Sequence, residues 1–451
     1  MDTSTTSPAL GESKVSCPFD TSYNALEKRV DAGSPPWLRA LRHSGNAHFE
    51  ELGFPGTDNE EWRFTNVGPI ARLNSHAPRA EDLVPANHET VSPYLFKSLA
   101  DTTLVFVNGV LSPALSSLSG LPGGVEVIDL ATAIREERPW VASHLGRYAR
   151  VADNAFVALN TSMIENGVAI RIAANTQVKE PIFILFLSTS RADGATVHPR
   201  VLILAEHHSE AHVVESHAGL ADSAYFSNSV TEIVLEEAAH VEHCRLQFER
   251  TTAFHVATVQ AQQARSSNLR THSISLGARL ARINVTPVLD AEGCECTMNG
   301  LYVASGEQLV DHHTTIHHAK PRCNSHEFYH GILDGKAQGV FNGKIFVRPD
   351  AQKTDAKQTN RNLLLSDEAT VNTKPQLEIF ADDVKCTHGA TVGQLQDEAI
   401  FYLRARGIGL EAARRMLVHA FASDILNRIM VDEIRTYLDD QMFERFERPT
   451  V

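Results

Sequence analysis

The chain has 451 residues, of which 43% are hydrophobic and 21% charged, with a formal net charge of −14. This length exceeds what one hydrophobic core organises, so two or three structural regions are expected. The acidic balance argues against a nucleic-acid partner, and no stretch approaches the roughly 20 apolar residues of a membrane span. Six cysteines are too few for a disulfide framework, which predicts reduced thiols and a cytoplasmic protein.

The first 150 residues predict a small mixed region. Residues 1–20 are polar and predict a disordered tail, and residues 21–150 predict a helical and α+β region. The pair Pro35-Pro36 favours a helix start. Residues 103–107 read as a strand, and a helix is expected over residues 128–150.

Residues 151–394 have a different texture, in which short β-branched and apolar runs are separated by Gly, Asn, Asp or Ser. Cys244, Leu246 and Phe248 alternate with polar residues, and such alternation predicts strands with one buried face. From residue 151 to about residue 390, no helical period is evident. Sandwich, barrel, propeller and β-helix are all open to so many strands. Because the runs are unequal and no blade signature recurs, a β-solenoid is favoured.

Residues 395–451 predict amphipathic helices with a break at Gly407-Ile408-Gly409. A helical region of this kind either caps the open end of a solenoid or presents a surface to a partner. The sequence leaves both roles open.

Long ordered motifs occupy the second half of the chain. Ala-Glu-Gly-Cys-Glu-Cys-Thr-Met-Asn-Gly-Leu-Tyr stands at 291–302, and Lys-Cys-Thr-His-Gly-Ala-Thr stands at 385–391. Others lie at 311–314, 325–327, 339–345, 350–356, 362–366 and 374–384, and Glu-Trp-Arg stands at 61–63. Together they resemble the SufB/SufD family of iron–sulfur cluster assembly scaffolds in the SUF system.

The resemblance implies a right-handed parallel β-helix core between helical ends. The run at 385–391 is similar to SufD-type members, and Glu368 stands where, by our alignment, SufB-type members carry a cysteine for the nascent cluster. The resemblance also implies pairing with a SufB-like paralogue through the β-helices, and binding of a SufC-like ABC ATPase through the C-terminal helices. The resemblance further implies that ATP hydrolysis belongs to that partner and that this chain is not an enzyme. Consistent with this, the chain has no Gly-x-x-x-x-Gly-Lys-Ser/Thr loop to cradle phosphates.

Cys386 and His388 are the candidate site. In a strand they share a face, and thiolate and imidazole are suitable ligands for iron. The resemblance implies that the histidine of this motif lies at the SufB contact and assists cluster building. We expect a transient iron or iron–sulfur cluster there and no cofactor stably bound by the isolated chain. The alternative is a buried thiol beside a histidine that is hydrogen-bonded to the next coil.

Two further groups of residues could be interpreted as metal sites, but the sequence does not favour either interpretation. In the Asp-His-His-Thr-Thr-Ile-His-His run at 311–318, His312 and His318 should face one side of a strand while His313 and His317 face the other. Cys294 and Cys296 could hold a soft metal, but no second pair is spaced to complete a four-ligand site.

For the ATPase partner, we expect the docking surface at the glycine break, marked by Phe401, Arg406, Gly407 and Ile408. Two rival functions stay open: a SufB-type cluster carrier, and a β-helix metalloenzyme or polysaccharide-active enzyme. A homodimer of the isolated chain also stays open.

Overall fold

The computed structural model describes residues 18–30 and 33–447. Cys17 and most of the predicted 1–20 tail lie outside these residues. Residues 18–20 begin the first helix.

Ten α-helices lie at the two ends of the described chain. They are α1 Pro18–Val30, α2 Pro36–Leu52, α3 Gly68–Ala71, α4 His88–Val91, α5 Leu130–Arg135, α6 Pro139–His144, α7 Ala155–Ser162, α8 Asp397–Arg404, α9 Leu410–Leu426 and α10 Asp432–Glu447. No helix in the described ranges is both long and apolar enough for a membrane span.

Twenty strands fill most of the remainder. They are β1 Thr103–Val107, β2 Val110–Leu111, β3 Val125–Asp129, β4 Gly167–Ile172, β5 Ile182–Ser188, β6 Thr196–Val197, β7 Arg200–Ala205, β8 Glu210–Gly219, β9 Phe226–Leu235, β10 His240–Phe248, β11 Phe254–Gln263, β12 Asn268–Ser275, β13 Leu280–Leu289, β14 Glu295–Ala304, β15 Leu309–His318, β16 Asn324–Leu333, β17 Gln338–Val347, β18 Asp355–Leu364, β19 Thr370–Ile379 and β20 Lys385–Gly393.

The strands form two sheets between which the chain alternates. The first sheet has the order β2-β1-β5-β8-β10-β12-β14-β16-β18-β20, and the second has the order β3-β4-β7-β9-β11-β13-β15-β17-β19, with β6 beside β9. All pairings are parallel except β1–β2 and β3–β4. The result is a β-solenoid of about eight turns, which confirms the predicted fold class.

The N-terminal elements differ in part from the prediction. The strand at 103–107 and the helix start at Pro36 are confirmed. In place of one helix over 128–150, the structure has the end of β3 followed by the short helices α5 and α6. Helix α7 interrupts the span predicted to lack helices. All eight of its residues are buried, so its sequence carries no amphipathic period.

The alternation in β10 predicts the strand correctly, but both faces of that strand are buried. Cys244 and Leu246 face outward and join an apolar cluster with Val418 and Ile425 of α9. The intervening Arg245 faces the interior of the solenoid, where it contacts the Glu215 carboxylate. The C-terminal helices therefore cover the outer face of the first sheet, whereas the sequence had also left open a cap on the end of the solenoid.

The Glu-Trp-Arg element fixes the N-terminal region against the second sheet. The Arg282 guanidinium carbon lies 3.6 Å from the centroid of the Trp62 ring. Arg282 Nη1 also lies 3.0 Å from Asp311 Oδ2. Burial alone would raise the pKa of Asp311, but His313 and Arg282 outweigh it and lower that pKa to about 2. A charged carboxylate thus holds the cation against which the tryptophan packs.

Candidate functional site at the open end of the β-helix

The strand that carries Cys386 and His388 is the last strand of the first sheet. β20 pairs with β18 on one side, and no other described strand pairs with its second edge. Strand β19 likewise ends the second sheet. The final turn exposes large apolar side chains, including Phe380 at 58% and Val392 at 47%. The β-helix therefore ends in two open strand edges with apolar side chains beside them.

Register places Cys386 and His388 on the interior face of the solenoid wall. Cys386 is opposite Ala356 of β18, which belongs to the interior apolar cluster, and the half-buried Cys386 packs against that cluster. Burial raises the pKa of the Cys386 thiol, which favours the protonated form in the isolated chain. His388 is exposed, because no further turn covers it.

A column of side chains runs inward beneath His388. In successive turns, His388 is in register with Gln358 of β18, and Gln358 with Glu327 of β16. Gln358 Nε2 donates a 2.6 Å hydrogen bond to Glu327 Oε2, and both side chains are buried. Burial raises the pKa of Glu327 to about 7.

Sequence reasoning missed Gln358 as part of the site and used Glu327 only as part of a motif. Thirty residues separate His388 from Gln358 along the chain, and no spacing rule links two positions in adjacent turns of unequal length. Only the inter-strand register reveals the column.

The pair at the end of the column has suitable chemistry but too few ligands for a cluster. A thiolate and an imidazole both bind iron, and clusters are generally held by four protein ligands. Within residues 18–30 and 33–447, no group of three His, Cys, Asp or Glu side chains is arranged to hold a metal ion. This end of the chain thus offers part of a ligand set, next to open strand edges.

The histidines of the 311–318 run divide between the two faces of β15. His312 lies inside, where its ring stacks on Tyr302 with centroids 5.3 Å apart, and burial lowers its pKa to about 3. His318, also inside, lies 2.8 Å from Ser325 Oγ. His313 lies outside, 3.0 Å from Asp311 Oδ1. The predicted split is confirmed for these rings, which are engaged in separate contacts.

The other described cysteines are buried. Cys296 belongs to the interior apolar cluster. Cys294 and Cys323 occupy turns in successive coils, and both thiols donate to the Ala291 carbonyl, at 3.1 and 3.2 Å. The hydrogen bond with Cys323 lowers the pKa of Cys294 to about 7. Stacking of coils thus joins two thiols that the sequence separates, although both are sealed from solvent.

The predicted docking residues lie at an exposed corner between α8 and α9. Phe401 is 73% exposed and Tyr402 is 58% exposed, and α8 has no buried residue. The Arg406 guanidinium carbon lies 3.8 Å from the Tyr402 ring centroid. Gly407 has φ = +86°, which a side-chain-bearing residue adopts only with strain, and it ends the helical path before Ile408.

Comparison with known proteins agrees with this architecture. Residues 186–421 match the family described as "SUF system FeS cluster assembly, SufBD core domain", and residues 14–184 match "SufBD protein N-terminal region". The β-solenoid and these two matches together define a protein of iron–sulfur cluster assembly. The chain belongs to the SufBD family.

Individual relatives extend over most of the chain. An "Iron-sulfur cluster assembly SufBD family protein" of Synechocystis is 34% identical over 91% of this chain and 92% of its own length. The "Iron-sulfur cluster assembly protein SufD" of Escherichia coli is 32% identical over 84% of this chain and 86% of its own. "Protein ABCI7, chloroplastic" of Arabidopsis thaliana is 28% identical over 96% and 92%.

Proposed function

We propose that this chain is a SufD-type scaffold subunit without catalytic activity of its own, which pairs with a SufB-like chain during assembly of iron–sulfur clusters. Its 32% identity to the Escherichia coli protein named SufD supports this assignment within the family. The observation that carries the proposal is the position of Cys386 and His388 on a terminal, solvent-facing strand.

The open end of the β-helix suits pairing with a similar chain. β19 and β20 each have one edge without a partner strand among the described residues, and main-chain groups on such an edge are ready to pair with another chain. The apolar side chains of Phe380 and Val392 would be buried by such pairing. A single scaffold would then extend from one subunit into the other.

Pairing would complete the ligand set for the cargo. Cys386 and His388 supply two donors, and the partner would supply the others, so iron or a nascent cluster is held only transiently at the joint. Because ligation requires a deprotonated thiol, the raised pKa of Cys386 means that metal binding must displace its proton.

The site is tested by His388→Ala in the complex reconstituted with SufB-like and SufC-like partners. Cluster formation, followed by absorbance and iron content under anaerobic conditions, should fall while far-ultraviolet circular dichroism and the melting temperature stay unchanged. His207→Ala is the matched control, since His207 is an exposed histidine in a distant turn. Full cluster formation by the His388 variant would refute the proposed role.

We further propose that the corner between α8 and α9 binds the SufC-like ATPase. Two adjacent exposed aromatic residues, Phe401 and Tyr402, are uncommon on a surface that contacts only water. Arg406 stiffens this patch by lying over the Tyr402 ring. ATP hydrolysis would belong to the partner.

Point substitution is the appropriate test of docking. Helices α9 and α10 contribute buried residues to the apolar cluster on the outer face of the first sheet, and their deletion would expose that cluster. Phe401→Asp should abolish capture of the SufC-like ATPase. Val110→Asp is the control, since Val110 is 60% exposed at the opposite end of the first sheet. Equal capture by both variants would contradict the docking proposal.

A further inference from the structure

The residue of β18 in register with His388 carries a buried acceptor that has no donor among the described residues. Gln358 is 2% exposed, and its Nε2 donates a hydrogen bond to Glu327 Oε2. Its Oε1 is buried and has no hydrogen-bond partner among the described residues. A buried amide oxygen left in this condition costs free energy, which a hydrogen bond from a neighbouring donor would recover.

His388 is the candidate donor. It occupies the adjacent position of the same column, and neighbouring strands in a sheet are separated by about 4.8 Å. Side chains in register on parallel strands project from the same face. In the described part of the chain, the His388 ring makes no hydrogen bond of its own. The ring and the amide oxygen thus belong to neighbouring positions of one column, and neither has a hydrogen-bond partner among the described residues.

The Gln358 amide is held from two sides. Glu327 accepts its N–H group from the turn below. From the opposite wall, Gly343 of β17 provides space, because a Cβ atom at that position would collide with Gln358 Nε2. While Glu327 is ionised it can only accept a hydrogen bond, so the amide cannot then exchange its two ends without losing that bond. The oxygen therefore remains the free end of the amide.

We propose that Gln358 is a positioning residue for His388: its Oε1 accepts one ring N–H, fixes the tautomer, and leaves the lone pair of the other ring nitrogen for iron. Metal-binding histidines generally have such a partner on the second nitrogen, which sets both the tautomer and the ring orientation. The inference rests on the proposed role of His388 in cluster assembly, but its test does not require that role.

The test is the tautomer of His388 in the intact chain without metal. Nitrogen-15 spectra of histidine-labelled protein report the two ring nitrogens separately, and comparison with His388→Gln assigns the His388 signals. At a pH where the ring is neutral, the wild-type ring should show one dominant tautomer. Gln358→Met, which keeps the length of the side chain but removes the acceptor, should give a mixture. Lys357→Met is the control, because Lys357 is the exposed, outward-facing neighbour on the same strand.

A second variant covers the case in which Gln358→Met does not fold. In Gly343→Ala, the added methyl group should displace the Gln358 amide, and His388 should again show a mixture of tautomers. An averaged ring in the wild-type chain, or the same single tautomer in the wild type and in either folded variant, would overturn the inference.

Cluster assembly then separates the two proposals. Loss of the second partner of a metal-binding histidine commonly costs 10- to 100-fold in metal affinity, so Gln358→Met should slow cluster formation by roughly tenfold. If the tautomer responds to Gln358 while His388→Ala still assembles clusters fully, the positioning stands and the proposed role of His388 falls.

Discussion

A buried ion pair connects the N-terminal region to the second sheet and makes a quantitative prediction. Arg200 Nη2 lies 2.6 Å from Glu232 Oε2, with both side chains fully buried. The Glu232 carboxylate also accepts the backbone N–H groups of Gly146 and Tyr148, each at 2.8 Å, and of Ala149 at 3.0 Å. One carboxylate therefore neutralises a buried guanidinium and holds the loop that follows α6.

Glu232→Gln should strongly destabilise the protein. The amide nearly preserves the shape but leaves the Arg200 charge buried without a counter-ion, and breaking a buried pair in this way costs about 3–5 kcal/mol in the free energy of unfolding. Such a loss is a large share of the roughly 5–15 kcal/mol that stabilises a typical domain. Asp153→Asn removes the exposed pair of Arg150 and Asp153, 3.2 Å apart, and should cost at most about 1 kcal/mol.

Urea unfolding followed by circular dichroism gives the two free energies, and hydrogen–deuterium exchange locates the change. The amides of residues 146–149 should lose protection in the Glu232 variant before the central strands do, because their acceptor is altered directly. A loss below about 1 kcal/mol, equal to that of Asp153→Asn, would refute the argument that this buried pair is needed.

Three further predictions concern the pH dependence of stability and the packing of Trp62 in the N-terminal region. Burial raises the pKa of Glu327 from 4.5 to about 7. The free energy of unfolding of the wild type should therefore fall by about 3 kcal/mol as pH rises from about 4.5 to 7, and Glu327→Gln should lack this fall. Parallel pH profiles of the two proteins would contradict the raised pKa. Trp62→Ala should cost about 3–5 kcal/mol in equilibrium unfolding, because the indole packs on Arg282 and Phe156, and a cost below about 1 kcal/mol would refute that packing. The folded-state pKa of Asp311 is lowered from 3.8 to about 2, so its contribution to stability is present above about pH 4 and should disappear toward pH 2. If the melting temperature of Asp311→Asn falls with acid as much as that of the wild type, this contribution is contradicted.

Local patterns in the sequence were sufficient for individual strands and for the start of α2. The alternation of Cys244, Leu246 and Phe248 depends only on the two-residue repeat of a strand, and Pro36 limits the backbone at the start of α2. Both are properties of neighbouring residues, so a single sequence contains them. The sequence did not predict the short helix α7, because a helix that is buried on all sides lacks the periodic pattern of an amphipathic helix.

The same patterns could not show which way each face points. In β10 the apolar face lies outward under α9, while Arg245 lies inside against Glu215. A rule that places apolar residues in the interior fails here because the C-terminal helices cover the outer face and ion pairs compensate the buried charges. The contacts between β10 and α9 join residues more than 150 positions apart.

For the site, the sequence by itself determined that Cys386 and His388 share one face of a strand and carry ligands suited to iron. Only the tertiary structure decided that this strand is the last of its sheet, that its outer edge is open, and that Gln358 and Glu327 lie beneath it. The physical reason is that strand alternation is set by the local backbone, whereas the order and register of strands are set by the length of every intervening turn and by the packing of one coil on the next.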